Sequence, residues 1–201
     1  MEKGGANPPP PSFMDILIAS DIFGHTPALD RLAARLKADR IHILSPHDRE
    51  FTNEARAYEY FTQTTDIPAY AKKIKAYLKS PKIENRAVVL AGFSIGATAI
   101  WQISADSGFN GIQRAFCFYG SRIRDHREIC PAFPMDLIFP ESEPGFDVAE
   151  LMKELAVIPG VSCIREESGL HGFMNRESEN FSRPLYLTWT HRLNQWMGQK
   201  N

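Results

Sequence analysis

The sequence is short of cysteine, of long apolar runs and of net charge, and each shortage excludes a class of protein. Its three cysteines, Cys117, Cys130 and Cys163, are an odd number without C-x-x-C spacing. That argues against a disulfide framework or a zinc site and for a reducing compartment, with the thiols acting as small hydrophobes. No apolar stretch approaches the roughly 20 residues a membrane helix needs. The N-terminal residues hold glycines and four successive prolines, Pro8 to Pro11, where a secretory signal needs an apolar core. A cytoplasmic protein with no membrane partner is expected, and the Asn180-Phe181-Ser182 sequon is read as accidental. Lys+Arg 23 against Asp+Glu 24 leaves a net charge of −1, so no global field draws in nucleic acid.

What is present is globular. In 201 residues, 43% are hydrophobic and 23% charged. A chain of this length buries roughly 70% of its unfolded surface in one core and needs no metal to hold it. Residues 1–12 read as a flexible Pro-rich tail and 13–201 as one domain.

Short apolar runs alternate with helical patterns along that domain. The runs are 14–19, 41–44, 87–91, 114–119, 135–139 and 161–164. Between them lie a helix opened by Thr26-Pro27 with Leu29, Leu32, Ala33 and Leu36 on one face, and helical patterns near 53–63 and 67–79. A helix follows at 95–103 and another at 148–156, and Leu185, Trp189, Leu193 and Trp196 stripe a long last helix. This alternation predicts an α/β fold: a mainly parallel sheet of about six strands covered by helices on both faces. Ligands of such sheets sit beyond the carboxyl ends of the strands, where strand order reverses.

The turn after the third run reads Gly92-Phe93-Ser94-Ile95-Gly96. G-x-S-x-G between a strand and a helix is the context of a nucleophile elbow. Ser94 must occupy a strained turn to project its hydroxyl, and side chains at 92 or 96 would collide with the tight strand–helix crossing. With 13 Gly and 13 Ser in the chain, chance yields the bare pattern about 0.05 times per chain of this composition.

A serine nucleophile needs a base. His25, His42, His47, His126 and His191 read as loop, strand or helix residues, with His126 in a charged segment that looks solvated. His171 stands in a glycine-flanked loop, Gly169-Leu170-His171-Gly172, after the last strand and before the last helix. The chain order Ser, acid, His places the base there. The acid belongs in the loop 140–147, which offers Glu141, Glu143 and Asp147. Asp147, three residues before Glu150, has another task as a helix cap. Glu141 directly follows the strand end and reads as exposed, so Glu143 is preferred. The oxyanion hole requires two backbone N–H groups, one from Ile95 at the helix start and one from Ile22 in the loop after the first strand.

Those motifs resemble the dienelactone hydrolase family of the α/β-hydrolases. Asp21-Ile22-Phe23-Gly24 is similar to that family's acidic-Ile-Phe-Gly loop, Gly92-Phe93-Ser94-Ile95-Gly96 to its elbow, Phe118-Tyr119-Gly120 to its Tyr-Tyr-Gly strand end and His171-Gly172-Phe173 to its histidine loop. The resemblance spans 14–175 and implies an α/β-hydrolase fold lacking the first two antiparallel strands and a large lid. It departs from the family in three places. Ser94 stands where the family has cysteine, the shorter Asp21 where it has Glu, and an offset Arg176 where it holds a substrate carboxylate. A general serine esterase is therefore implied rather than an enzyme for dienelactone. The expected partner is a small-molecule ester, contacted by Asp21, Phe23, Tyr119 and Arg176. No metal or cofactor is expected, and the protein should be a monomer or homodimer. A thioester or acyl-peptide donor, or a silent hydrolase fold used for binding, are the competing readings.

Overall fold

The computed structural model describes residues 14–83 and 86–198. The expected Pro-rich tail, 1–12, and the first residue of the expected domain lie outside them. The chain runs β1 (Met14–Ala19), α1 (Pro27–Ala33), β2 (Ile41–Leu44), α2 (Glu54–Thr64), α3 (Ile67–Leu78), β3 (Ala87–Phe93), α4 (Ile95–Ile103), β4 (Ile112–Phe118), a short 3₁₀ helix (Ser121–Asp125), β5 (Met135–Pro140), α5 (Val148–Leu155), β6 (Val161–Glu166) and α6 (Arg183–Gly198). The order β2-β1-β3-β4-β5-β6, parallel throughout, is the six-stranded parallel sheet expected.

Period-two alternation sorts the strand residues into two cores. Leu17, Leu90, Ala115, Cys117, Met135 and Leu137 face one way and are covered by α2, α3, α4 and α5. Ile16, Ile18, Val89, Phe116, Phe118 and Ile138 face the other way, against α1 and α6. Burial on both faces is why these strands read as continuous apolar runs rather than alternating ones.

The helices begin where short polar side chains take up the first free N–H groups. Thr26, Asn53, Asp66 and Asp147 cap α1, α2, α3 and α5. β3 and β6 continue two residues past their apolar runs. β4 stops at Phe118 because Tyr119 adopts φ 42, outside the extended region. The charged segment 124–128 starts inside the 3₁₀ helix and exposes Asp125, Arg127 and Glu128 as expected of a solvated stretch, but His126 is half-buried: its Nε2 meets the Gln102 amide at 2.9 Å, and its carbonyl accepts from the Trp101 indole N–H at 2.8 Å.

Strand order reverses between β1 and β3, which pair in register with Ala19 opposite Gly92. The loop after β1 and the turn after β3 therefore emerge side by side. Among the described residues no insertion stands over this end as a lid, and the longest stretch between elements, 167–182, carries His171. No described helix is long and apolar enough to cross a membrane.

Candidate active site

The turn after β3 is built around two close approaches. A Cβ on Gly92 would lie 2.7 Å from the backbone of Ala97, and one on Gly96 would lie 2.3 Å from the Ala19 carbonyl oxygen. Only glycine lets α4 start this close to both its own strand and β1. Ser94 between them is held at φ 51, ψ −112, a conformation costing an L-residue on the order of 1–3 kcal/mol. Its backbone N–H donates to the Phe118 carbonyl at 2.9 Å, and its own carbonyl accepts from Thr98 N–H at 3.0 Å. Strain imposed from both sides turns the hydroxyl out of the sheet.

His171 reaches that hydroxyl. Its Nε2 lies 3.0 Å from Ser94 Oγ, and its Nδ1 lies 2.6 Å from Glu143 Oε1. Glu143 has a side chain 5% exposed, against 29% for His171. The histidine loop is closed by Gly172 at φ 91, where a Cβ would lie 2.4 Å from Ser178 Oγ. Asn180 Nδ2 donates to the His171 carbonyl at 3.0 Å. Tyr119 packs its ring 5.0 Å from the imidazole.

Of the three acids in the loop after β5, Glu143 is the one that meets the histidine. Asp147 Oδ1 takes the N–H groups of Ala149 at 2.8 Å and Glu150 at 3.1 Å, capping α5. Glu141 is exposed. Its backbone ties the loop down, N–H to the Gly169 carbonyl and carbonyl to the Arg165 guanidinium. A tight turn at Gly145, φ 86, and a bridge between Glu143 and Phe146 fold the acid back toward β6.

Five further histidines are engaged elsewhere or exposed. His25 pairs with Asp30 at 2.7 Å. His42 lies between Tyr77 Oη and the buried Asp15 carboxylate. His126 meets Gln102, and His191 is on the exposed side of α6. His47 is buried and touches the loop after β1.

That loop is a turn in which Gly24 N–H donates to the Asp21 carbonyl at 3.3 Å. The N–H groups of Ile22 and Ile95 meet no acceptor among the described residues, and they flank the Ala19–Gly92 register. Asp21 is buried. Its Oδ1 accepts from Phe23 N–H at 3.0 Å and its Oδ2 from Asn175 Nδ2 at 2.8 Å, linking this loop to the histidine loop. Burial pushes its carboxyl up to about 6, against the lowering effect of Asn175, Phe23 and His171.

The remaining residues expected to touch a substrate fall differently. Phe23 and Tyr119 are 4% and 0% exposed and pack the loops, with Tyr119 also lining the cleft that Asp21 borders. Arg176 is exposed and lies over the Phe181 ring at 5.5 Å. With Asp21 and Asn175 it lines a cleft beside the loop after β1. Cys117 is buried, Cys163 half-buried and Cys130 exposed. Burial pushes the Cys117 thiol far up and the Cys163 thiol to about 11, which keeps both as unreactive thiols. Among the described residues no group of three or more His, Cys, Asp or Glu side chains could hold a metal ion.

Asp21 sets a pH dependence of stability. Its folded value near 6 lies above the ordinary 3.8, so between those values the folded chain binds the proton that the unfolded chain releases. Stability therefore falls as pH rises through that window, and above it the buried carboxylate costs about 3 kcal/mol. Asp21→Asn keeps an acceptor for Phe23 N–H and removes the charge, but it sets a second amide donor against Asn175 Nδ2. That loss is independent of pH, so urea unfolding should find the variant's stability relative to wild type about 1–3 kcal/mol higher at pH 7.5 than at pH 4. The same stability difference at both pH values would show that the buried charge has no such effect.

No protein-family model matches the sequence. The Bacillus subtilis (strain 168) protein named "Uncharacterized protein YczH" is 33% identical over 179 residues, 86% of each chain. Two solved structures share the fold at low identity. The dienelactone hydrolase-like promiscuous phosphotriesterase P91 from metagenomic libraries superposes with a TM-score of 0.58 at 13% identity, covering 97% of this chain and 88% of that one. Est1E from Butyrivibrio proteoclasticus, with ferulic acid bound, superposes with a TM-score of 0.59 at 11% identity, covering 92% and 88%. By its sequence the chain belongs to the family of Bacillus subtilis YczH, and by its sheet it is an α/β-hydrolase fold.

Proposed function

We propose that the protein is a serine hydrolase that cleaves small carboxylic esters through an acyl-enzyme. The observation that carries this reading is the continuous chain from Ser94 Oγ to His171 Nε2 at 3.0 Å and from His171 Nδ1 to Glu143 Oε1 at 2.6 Å. The strained elbow supports it, because a backbone at φ 51 on a non-glycine residue persists only where the surroundings enforce it. Two fold relatives, named as a dienelactone hydrolase-like phosphotriesterase and as Est1E with ferulic acid bound, support hydrolysis as the reaction class.

In the first half-reaction His171 Nε2 takes the Ser94 proton as Oγ bonds to the ester carbonyl carbon. Glu143 holds the Nδ1–H tautomer and stabilises the imidazolium that forms. The Ile22 and Ile95 N–H groups receive the oxyanion, each stabilising it by about 3 kcal/mol. Collapse expels the alkoxide, which takes its proton from His171, leaving the acyl group on Ser94. Water then repeats the sequence, giving its proton to His171, and returns Ser94 with release of the carboxylic acid.

The open, lidless site suits short acyl chains. The wild-type protein should hydrolyse p-nitrophenyl acetate with a burst of p-nitrophenol approaching one equivalent before the steady state. Release at the buffer rate alone would contradict the proposal.

A further inference from the structure

The loop after β1 is held from outside by the loop after β2, and one side chain makes the join. His47 is buried, 8% exposed. Its Nε2 lies 3.0 Å from the Ile22 carbonyl and its Nδ1 3.0 Å from the Arg49 carbonyl. The rings of Phe51 and Tyr60 stand edge-on to the imidazole at 5.5 and 5.1 Å, and the Arg49 guanidinium covers the Tyr60 ring at 5.3 Å. Gly24 makes the contact possible, since a Cβ there would lie 2.0 Å from the Arg49 carbonyl oxygen and 3.0 Å from His47 Cε1.

Five backbone polar groups of the turn are thereby held. The Asp21 carbonyl accepts from Gly24 N–H and from Ser20 Oγ. The Phe23 N–H goes to Asp21 Oδ1, and the Phe23 carbonyl accepts from Phe51 N–H at 2.9 Å. The Ile22 carbonyl goes to His47. The Ile22 N–H meets no acceptor among the described residues, and its trans peptide directs it away from the doubly held Asp21 carbonyl. A buried imidazole pinned on four sides is a rigid anchor for that group.

We propose that His47 is a positioning residue: by donating from Nε2 to the Ile22 carbonyl it fixes the turn whose free Ile22 N–H receives the oxyanion. The inference rests on the serine-hydrolase reading above. Carbonyls only accept, so a neutral ring satisfies either Ile22 or Arg49, and the imidazolium satisfies both. The function assigned here belongs to the Nε2 bond.

The two conservative replacements separate the two bonds. Gln places an amide N–H near the old Nε2, within reach of Ile22, whereas Asn places one near the old Nδ1, within reach of Arg49. Both lose the ring's packing. With p-nitrophenyl acetate, His47→Asn should lose about 100-fold in kcat, the scale of a misplaced catalytic group. KM should stay within about twofold, because the lost contact acts on the transition state. His47→Gln should keep kcat within a few-fold of wild type. Equal losses in both variants overturn the inference, since a packing role alone predicts them, and so does an unchanged kcat in His47→Asn. If His47→Asn does not fold, the wild-type ring decides. A slowly exchanging Nε2 proton coupled to the Ile22 carbonyl in nitrogen-15 spectra supports the inference, and a bare Nε2 overturns it. Ser94→Ala run in parallel separates the two levels of the argument. Wild-type turnover that survives Ser94→Ala removes the serine-hydrolase reading and this inference together, whereas Ser94-dependent turnover with equal His47 variants removes this inference alone.

Discussion

Ser94→Ala should lower kcat for p-nitrophenyl acetate by on the order of 10⁵- to 10⁶-fold while leaving the fold intact. The loss is this large because the hydroxyl is the bond-forming atom and nothing nearby replaces it. Cys117, the nearest thiol in sequence along the neighbouring strand, is buried with its Sγ toward the Ala97 carbonyl at 3.7 Å, on the face of the sheet that α4 covers. Residual turnover should come from water acting with His171 beside the two N–H donors. The fold should hold because Ala keeps the Cβ, the N–H bond to Phe118 and the bond from Thr98. Steady-state kinetics with a thermal melt check both halves. A variant that melts like wild type and keeps more than about a tenth of the rate would place the nucleophile elsewhere.

Glu143→Gln is the next most severe change, about 10⁴-fold in kcat with little loss of stability. Among the described residues the Glu143 carboxylate bonds His171 Nδ1, at 2.6 Å, in a side chain 5% exposed. Gln keeps the shape of that contact but can present an N–H to Nδ1. The proton is then displaced to Nε2, and the imidazole can no longer accept from Ser94. Asp147→Asn should leave the rate within a few-fold, since Asn caps a helix about as well as Asp and the Asp147 carboxylate bonds the start of α5. Glu141→Gln should be silent in the same assay, because among the described residues it is the Glu141 backbone that is bonded, not its carboxylate. A collapse of turnover in Asp147→Asn with Glu143→Gln active would reverse the assignment.

The strands and the elbow were legible in the sequence because their signals are local. An apolar run buried on both faces, a glycine on each side of Ser94 and the caps Thr26 and Asp147 all act within a few positions. The preference for Glu143 over Asp147 also came from a local signal, the cap that Asp147 provides for α5. Phe23 and Tyr119 were harder, since a motif match gives a residue's place in the chain and not how its neighbours cover it. His47 and Asn175 left no sequence signal at all. Their partners Ile22 and Asp21 lie 25 and 154 positions away and meet them only once β2, β1 and the histidine loop are brought to one end of the sheet. The buried state of Asp21, which sets its pH dependence, is equally a product of that assembly.

The reading of Ser94 as the nucleophile depends on its hydroxyl being activated in the folded protein. A fluorophosphonate probe, followed by peptide mass spectrometry, reports this independently of any choice of ester. One adduct per chain is predicted, on the peptide containing Ser94, formed by the native protein and lost after denaturation or in Ser94→Ala. An adduct on another residue, or none on protein that is demonstrably folded, would contradict the assignment.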